Sequence, residues 1–387
     1  MIVYDKKMLD NGALVNEADT LYNGGFISKD QKKFIEKELP VLKSQSNILV
    51  RIGFFLLGCL LYLSICGAIS IFGLSGESVF FQICCYIFAV VGFVGVELLA
   101  TQNYHNHGLD DAFILGALLN VGIAIAVTTE GYEAVIAFFV SIAALFMFLR
   151  YLHLVSMLVF CIATTGFLFF EMFEFGDIGK TILPFVAMIS AAILYFVTKK
   201  TIFNLKESYY YNGLLLANSF CLILFYLSCN YLVVRELSAE LLGNEVKPGT
   251  DIPFAFFFYA FTIIVPIIYL IQALKTKDRI MLWISFLAIA FSIYTIRFYY
   301  SVLPIEVALT LGGAVLFAIA FFSIKKLKEK ESGLTFKPDR INHSDNFLNA
   351  EALVVASTFG MKPEVKIDSP MEFGDGGFSG GGSGGSF

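Results

Sequence analysis

The chain has 387 residues, of which 57% are hydrophobic, 16% aromatic and only 15% charged, and its formal net charge is -5 at pH 7. With a mean hydropathy of +0.76 it lies outside the range of soluble globular proteins. This composition excludes a soluble domain as the bulk of the chain, and the negative net charge gives no indication of nucleic-acid binding. We expect the lipid bilayer to be its main partner.

Residues 1–48 are polar and lysine-rich and precede the first apolar run, so they predict a cytoplasmic head rather than a cleavable signal peptide. The stretch "ADTLYNGGFISKDQKKFIEKELPVLKSQ" predicts two short helices broken at Gly24 and Gly25. Ser28 and Gln31 fit a capping box at the start of the second helix. The contact between the two helices is expected to involve Leu21, Phe26, Ile27, Phe34, Ile35 and Leu39.

Residues 49–323 contain about ten apolar runs, each long enough for a helix that crosses the hydrocarbon core. In lipid the backbone satisfies its polar groups only in helices or closed barrels, and these runs are continuous rather than alternating. The predicted fold class is therefore an all-α polytopic membrane protein. The predicted spans are 49–73, 79–100, 111–128, 132–149, 152–170, 179–198, 208–230, 252–273, 280–297 and 303–323.

Lysine and arginine residues are distributed unevenly between the two sides of these spans. If the N-terminus is cytoplasmic, most of the 27 basic residues fall in cytoplasmic segments. The exceptions are Lys180, Arg235, Lys247 and Arg297. This asymmetry follows the positive-inside rule and predicts that both termini face the cytoplasm. The loop 231–251 is expected to form a short helix on the outer surface.

Residues 324–360 combine a basic segment with a predicted amphipathic cytoplasmic helix. Its apolar stripe includes Phe347, Val355 and Phe359. A helix of this length outside the membrane needs a surface to cover, because it is too short to be stable alone. That surface is the bundle, the head or a partner protein.

Residues 361–387 form a proline-containing spacer and a glycine-rich tail, a composition typical of a disordered end. Phe373, Phe378 and Phe387 are placed regularly in this otherwise flexible run. The alternative is that the tail docks in extended form on a partner subunit, with Phe387 and the terminal carboxylate as its anchor. The partner would be another membrane protein subunit or a second copy of the chain.

Three polar side chains within the predicted spans are candidates for a transport pathway: Glu97, Asn120 and Gln82. A charged side chain in the membrane is costly, which makes Glu97 a functional candidate by default. Its position near the inner end of the second span favours snorkelling or pairing within the bundle over an ion site. Asn120 and Gln82 are interpreted as bridges between helices.

The loop after the second span carries His105, His107, Asp110 and Asp111, whose nitrogen and oxygen atoms suit a divalent metal. The favoured interpretation is a solvated polar loop in which Asp110 or Asp111 caps the third span, so neither a metal nor another cofactor is predicted.

No sequence pattern predicts catalysis. The chain lacks a nucleotide-binding P-loop, a serine-histidine arrangement and an H-E-x-x-H motif, so an enzyme is not expected. His153 and His343 stand alone and are interpreted as structural or exposed residues. The seven cysteines lie in or at the edge of apolar runs without paired spacing, which indicates packing residues.

Two segments carry resemblances. Over residues 15–75, a helix, "GFIS", "DQ" and then "SNILVRIGFFLLGCLLYLSICG" resemble a family of predicted bacterial multi-span membrane proteins of unknown function with a short cytoplasmic helical head. That family often has a tryptophan before the glycine, where this chain has Tyr22 nearby. The tail "GGFSGGG", closed by Phe387, is similar to the ends of membrane proteins that carry the TPM domain.

The first resemblance implies a bacterial inner-membrane protein and no particular chemistry. The sequence therefore predicts a scaffold or subunit of a membrane protein complex, with the glycine-rich tail as a docking peptide. The alternative is a secondary transporter or channel for a small solute or ion that uses Glu97, Asn120 and Gln82.

Overall fold

The computed structural model describes residues 2–23, 26–71, 78–205, 207–242 and 251–299, together with isolated residues between 307 and 325. Within these ranges the regular secondary structure is helical, with no strand. The helices are α1 (Lys6–Asn23), α2 (Lys29–Glu38), α3 (Ile48–Ile71), α4 (Ser78–Thr101), α5 (Leu109–Thr128), α6 (Glu133–Tyr151), α7 (Leu154–Glu174), α8 (Gly176–Phe203), α9 (Tyr211–Ser228), α10 (Tyr231–Leu242), α11 (Ala255–Thr276) and α12 (Arg279–Tyr299). The predicted all-α polytopic fold is confirmed.

Nine of the described helices, α3 to α9 together with α11 and α12, are long and apolar enough to cross a membrane. They coincide with the first nine predicted spans. The largest difference in a boundary is at 179–198, which the structure extends to Gly176–Phe203. The short helix predicted in the loop 231–251 is α10. The tenth predicted span, 303–323, lies largely outside the described residues.

The head contains α1 and α2, as predicted, and its capping box is present. The backbone N–H of Ser28 donates to Gln31 Oε1 at 2.7 Å, and the backbone N–H of Gln31 donates to Ser28 Oγ at 3.2 Å. The two helices are joined by an ion pair of 2.9 Å between Lys32 Nζ and Asp19 Oδ1. The same ammonium group lies 5.3 Å from the centre of the Tyr22 ring.

The predicted apolar contact within the head is wrong for two of its members. Phe26 is 79% exposed and Phe34 is 65% exposed. The ion pair explains the exposure of Phe34, because the face of α2 that carries Lys32 lies toward Asp19 of α1. Phe34 follows two residues later, about 200° further around the helix, and therefore points elsewhere.

The membrane bundle is built around α5, which packs against α3, α4 and α6. Glycine allows the close approach of α4 to α5: a Cβ atom added to Gly92 of α4 would lie 2.7 Å from the Cβ of Ala117 on α5. Helix α7, the fifth span, packs against α6, α8 and α9 and so connects the first four spans to the following ones. Large exposed apolar side chains, such as Leu60 and Phe196, cover the outer faces of the spans and suit contact with lipid.

The helix directions define two ends of this bundle. Because consecutive spans alternate in direction, α3, α5 and α7 begin at the end where α4 and α6 finish, which we call the first end. At the second end, α9 and α12 finish and α11 begins. Of the seven cysteines, six are buried and Cys59 is partly buried, as expected of packing residues.

Candidate functional site

Five ionisable side chains lie at the first end of the bundle in two bonded groups, and each comes from a different element. They are Arg51 of α3, Glu97 of α4, Asp111 of α5, Arg150 of α6 and His153 in the turn before α7. We call this group the charged cluster. Their separation along the chain means that helix packing, rather than local sequence, brings them together.

Asp111 is buried and is paired with Arg51. Arg51 Nε donates to Asp111 Oδ2 at 2.8 Å, and Arg51 Nη2 lies 2.6 Å from the same oxygen. Arg51 Nη2 also donates to Asn106 Oδ1 at 3.3 Å. A buried carboxylate needs such a partner, because an unpaired charge inside a protein is strongly unfavourable.

Glu97 is held by two neighbours on α6. Arg150 Nε donates to Glu97 Oε2 at 3.0 Å, and Arg150 Nη2 donates to Glu97 Oε1. The hydroxyl group of Tyr151 donates to Glu97 Oε2 at 2.7 Å. The structure therefore places Glu97 in a pair within the bundle, the arrangement that its position near the end of the span favours.

His153 connects Asp111 to the start of α7. Its Nδ1 accepts the backbone N–H of Ser156 at 3.2 Å and lies 2.8 Å from Ser156 Oγ, so the imidazole is the N-cap of the helix. Since Nδ1 accepts, the ring proton sits on Nε2, which is 3.3 Å from Asp111 Oδ1. The interpretation of His153 as an isolated residue is therefore incomplete: it is buried and structural, and it faces a carboxylate.

Asp111, His153 and Ser156 thus form the serine-histidine arrangement that the sequence does not predict. It differs from a catalytic triad in two respects. Ser156 is 0% exposed, and its own backbone N–H occupies the nitrogen that would act as the base. The arrangement caps a helix and does not present a nucleophile to a substrate.

The polar loop before α5 is buried at His107, Gly108 and Asp110 and partly exposed at residues 103–106, so it is not a fully solvated loop. Asp110 Oδ1 accepts the backbone N–H groups of His107 at 2.9 Å and of Gly108 at 3.0 Å. The N-cap of α5 is Gly108, with a φ of 106°, and not Asp110 or Asp111. A side chain at Gly108 would collide with the carbonyl oxygen of Arg51, so only glycine lets the loop approach α3 this closely.

His105 is neutral in this loop. Its Nε2 accepts a hydrogen bond of 3.0 Å from Asn106 Nδ2. Burial lowers the pKa of His105 to about 4, although Asp110 and Asp111 act in the opposite direction. The His107 ring packs against Phe54, with ring centres 4.2 Å apart. Among the described residues, no group of three histidine, cysteine or acidic side chains is arranged to hold a metal ion.

The other two intramembrane candidates are also bonded within the bundle. Asn120 Nδ2 donates to the hydroxyl group of Tyr62 at 2.9 Å and to the carbonyl of Gly116 at 2.9 Å. Gln82 Nε2 lies 3.5 Å from the carbonyl oxygen of Val127. Both residues bridge or brace helices, as the sequence suggests, and the structure does not bring either of them to Glu97.

The extreme N-terminal segment belongs to the membrane bundle, although the sequence groups it with the head. The backbone N–H of Val3 donates to the carbonyl of Arg150 at 3.2 Å. Tyr4 is buried, and its ring centre is 4.8 Å from that of His105. Lys43 bonds to the loop before α5 through its backbone. Sequence reasoning missed these contacts, because neither segment has a periodic pattern.

A different polar group lies at the second end, which we call the neutral network: Tyr226, Asn230, Thr262, Ser292 and Thr295. The Tyr226 hydroxyl is 2.7 Å from Ser292 Oγ and accepts Asn230 Nδ2 at 2.9 Å. Thr295 Oγ1 donates to Asn230 Oδ1 at 3.3 Å. Ser292 Oγ is 2.6 Å from the carbonyl oxygen of Thr262. These contacts join the end of α9 to α11 and α12 without a charged side chain.

Charged residues near the neutral network lie at its outer rim. The Tyr231 hydroxyl donates to Asp251 Oδ1 at 2.8 Å and accepts from Arg235 Nη1 at 2.8 Å. The Arg235 guanidinium lies 4.5 Å from the centre of the Tyr299 ring. A tyrosine hydroxyl therefore separates the positive from the negative side chain.

The predicted partner-binding residues lie outside the described part of the chain, as does His343. They are Phe347, Val355, Phe359, Phe373, Phe378 and Phe387. Comparison of the chain with protein-family models, curated proteins and solved structures finds no match in any of the three.

Proposed function

We propose that this integral membrane protein is a scaffold or subunit of a membrane protein complex, without a catalytic role of its own. The observation that carries the proposal is the exposure of Phe26 and Phe34 on the head. Neither α1 nor α2 is among the helices that are long and apolar enough to span a membrane, so these aromatic side chains do not belong to the lipid-facing surface of a span. Exposed apolar groups outside the bilayer are typical of protein-binding surfaces.

The proposal extends to the placement of the chain. The lysine and arginine distribution and the resemblance of residues 15–75 to bacterial multi-span proteins support a bacterial inner membrane with cytoplasmic termini. The tail then supplies a second contact, in which Phe373, Phe378 and Phe387 anchor an extended peptide on the partner.

A detergent pull-down of the full-length protein beside a variant truncated after Phe373 tests the tail. The matched control keeps the full length and carries Phe378→Ser and Phe387→Ser. We expect both changes to release a partner that copurifies stoichiometrically with the full chain. If all three proteins run alone and identically by mass spectrometry and size, tail docking is wrong.

The head is tested separately with Phe26→Ser and Phe34→Ser. These side chains are exposed, so their replacement should leave the thermal stability of the purified protein unchanged within about 0.5 kcal/mol. Complex formation should weaken. Gly12→Ser, on α1 with no atom within 4 Å of its added Cβ, serves as the control.

A secondary transporter or channel is the second candidate, and the charged cluster favours it, since buried ionisable groups in membrane proteins commonly mark proton or ion pathways. The two functions separate on Glu97→Gln. A transporter should lose transport while it still assembles, whereas a scaffold should keep its partner. The bonds that hold Glu97, Asn120 and Gln82 support the scaffold.

A further inference from the structure

We propose that residues 2–5, which we call the strap, form a releasable closure over the charged cluster at the first end of the bundle. In the closed position, the side chain of Tyr4 keeps water away from the cluster. When the strap lifts, water reaches the buried polar groups. This inference concerns the bundle alone and does not depend on the proposed scaffold function.

The strap is attached to the bundle next to one of the two bonded groups of the cluster. The backbone N–H of Val3 donates to the carbonyl of Arg150 at 3.2 Å, and the side chain of Arg150 holds Glu97. Tyr4, the next residue, is 5% exposed, and its ring centre lies 4.8 Å from that of His105. Burial of an aromatic ring removes a large apolar area from water. This burial favours the closed strap.

The Tyr4 hydroxyl group lies close to the acidic side chains of the same region. Burial is the largest cause of the raised pKa of this hydroxyl, and the carboxylates of Asp110, Asp111 and Glu97 raise it further. Asp111 and Glu97 belong to the two different bonded groups of the charged cluster. One tyrosine side chain is therefore near both groups, and its departure would open both to solvent.

The same hydroxyl group opposes closure. Among the residues that the structure describes, none forms a hydrogen bond with Tyr4 Oη, and the same holds for the buried His107 Nδ1 in the loop before α5. A buried polar atom that gives up its bond to water without a replacement is unfavourable. Lifting the strap returns the Tyr4 hydroxyl to water. Ring burial and hydroxyl desolvation thus act in opposite directions, which is the balance expected of a segment that opens locally.

The chain returns from the head to the loop that the strap contacts. The backbone N–H of Lys43 donates to the carbonyl of Asn103 at 2.8 Å, and the N–H of His105 donates to the carbonyl of Lys43 at 3.1 Å. The N–H of Gln45 donates to the carbonyl of Asn106 at 3.3 Å. These bonds do not involve the strap. They keep the chain at the first end when the strap lifts, so that reclosure is an intramolecular step.

The test is hydrogen exchange of the full-length protein in lipid nanodiscs at pH 7.5, followed in residues 106–111, which include the buried His107 and Gly108 N–H groups. Tyr4→Ala removes the ring, so the strap should open more often and exchange should increase by about tenfold or more. Tyr4→Phe keeps the ring and removes the unpartnered hydroxyl, so exchange should decrease by about fivefold.

Tyr86→Phe is the matched control. It removes a hydroxyl group that lies 2.9 Å from Thr128 Oγ1, at the opposite end of α4 and α5 from the strap, so it should leave exchange in residues 106–111 unchanged. If Tyr4→Ala does not fold, Val3→Pro replaces it. This variant keeps the Tyr4 ring and removes the N–H that donates to Arg150, and it should also increase exchange.

The opposite signs expected for the two substitutions of Tyr4 separate a releasable strap from a purely structural contact. Residues 226–235 at the second end should exchange equally in all variants. An equal increase there would show a general loss of stability and overturn the proposal. It is also overturned if Tyr4→Ala, or Val3→Pro in its place, leaves residues 106–111 unchanged, or if Tyr4→Phe exchanges as fast as the wild type or faster.

Discussion

Buried polar side chains join three spans at each end of the bundle, but they are charged at the first end and neutral at the second. At the first end, the charged cluster ties α3, α5 and α7 together through Arg51, Asp111 and His153. At the second end, the neutral network ties α9, α11 and α12 together through Tyr226, Asn230 and uncharged hydroxyl groups. Both arrangements bury polar atoms, but of the two only the first contains buried carboxylate and imidazole groups.

This difference indicates which end of the bundle depends on pH and on the presence of charged partners. Neutral hydrogen bonds keep their donors and acceptors between pH 5 and pH 8, whereas carboxylate and imidazole groups exchange protons in or near that range. Removal of one member of a buried ion pair also leaves a charge behind, a cost that a neutral pair does not carry. The first end is therefore the part of the bundle that we expect to respond to acid.

The largest effect is expected from Arg51→Met. The substitution leaves the buried Asp111 carboxylate without its guanidinium partner, and we expect the free energy of unfolding to fall by about 3 to 5 kcal/mol. Denaturant titration in mixed micelles measures this loss. The double variant Arg51→Met with Asp111→Asn should recover part of the stability, because the second change removes the stranded charge.

Arg235→Met at the second end is the control for that experiment. Arg235 is partly exposed and contacts Tyr231 and Tyr299 at the rim, so its loss should cost only about 1 kcal/mol. Equal losses for the two arginine variants would remove the distinction between the two ends. A double variant as unstable as the single one would show that the ion pair is not the cause.

The next largest effect is expected from Asn230→Ala. Its side chain accepts the backbone N–H of Leu232 at 3.1 Å, donates to Tyr226 and accepts from Thr295. We expect a loss of about 2 kcal/mol from the missing cap and the unpaired hydroxyl groups. The same loss should be measured at pH 8 and at pH 5, since no titratable partner is involved. A loss that changes with pH would contradict the neutral character of this end.

The smallest effect comes from His105. Its pKa falls from 6.5 in the unfolded chain to about 4 in the folded protein, so below pH 6.5 the unfolded state binds more protons and stability decreases as the pH falls. At pH 5.5 this amounts to about 1 kcal/mol, and the loss continues down to about pH 4.

Thermal unfolding of the wild-type protein and His105→Gln across this pH range checks the prediction. The variant lacks the titrating ring, so its stability should decline less steeply between pH 6.5 and pH 4. Parallel curves for the two proteins would show that His105 is not held neutral by burial.

Much of the fold is predictable from the sequence, because each span is a continuous local signal. Nine apolar runs, the helix α10 and the Ser28–Gln31 capping box all depend on residues within a few turns of one another. The apolar face of the head was not predictable in the same way. The ion pair between Lys32 and Asp19, from two different helices, decides which face of α2 is turned inward.

The charged cluster was predictable only in part. A carboxylate inside a span is unusual in any sequence, so Glu97 stands out, and His105, His107 and Asp110 form a visible group in one loop. The partners of these residues are not visible, because Arg51 is 60 residues from Asp111 and Glu97 is 53 residues from Arg150. Arg51 counts toward the basic residues of the head, and His153 has no histidine or acidic residue beside it. Only the packing of five elements joins them.

Hydrogen exchange of the full-length protein in nanodiscs at pH 7.5 and pH 5, corrected for the intrinsic effect of pH, tests this account most directly. The account predicts that acid increases exchange at the first end, in residues 2–5, 42–47 and 102–111 and at the start of α7. Residues 226–235 and 292–299 at the second end should exchange equally at both pH values. Equal acid sensitivity at the two ends, or at neither, would contradict the claim that the buried ionic chemistry of this bundle is concentrated at the first end.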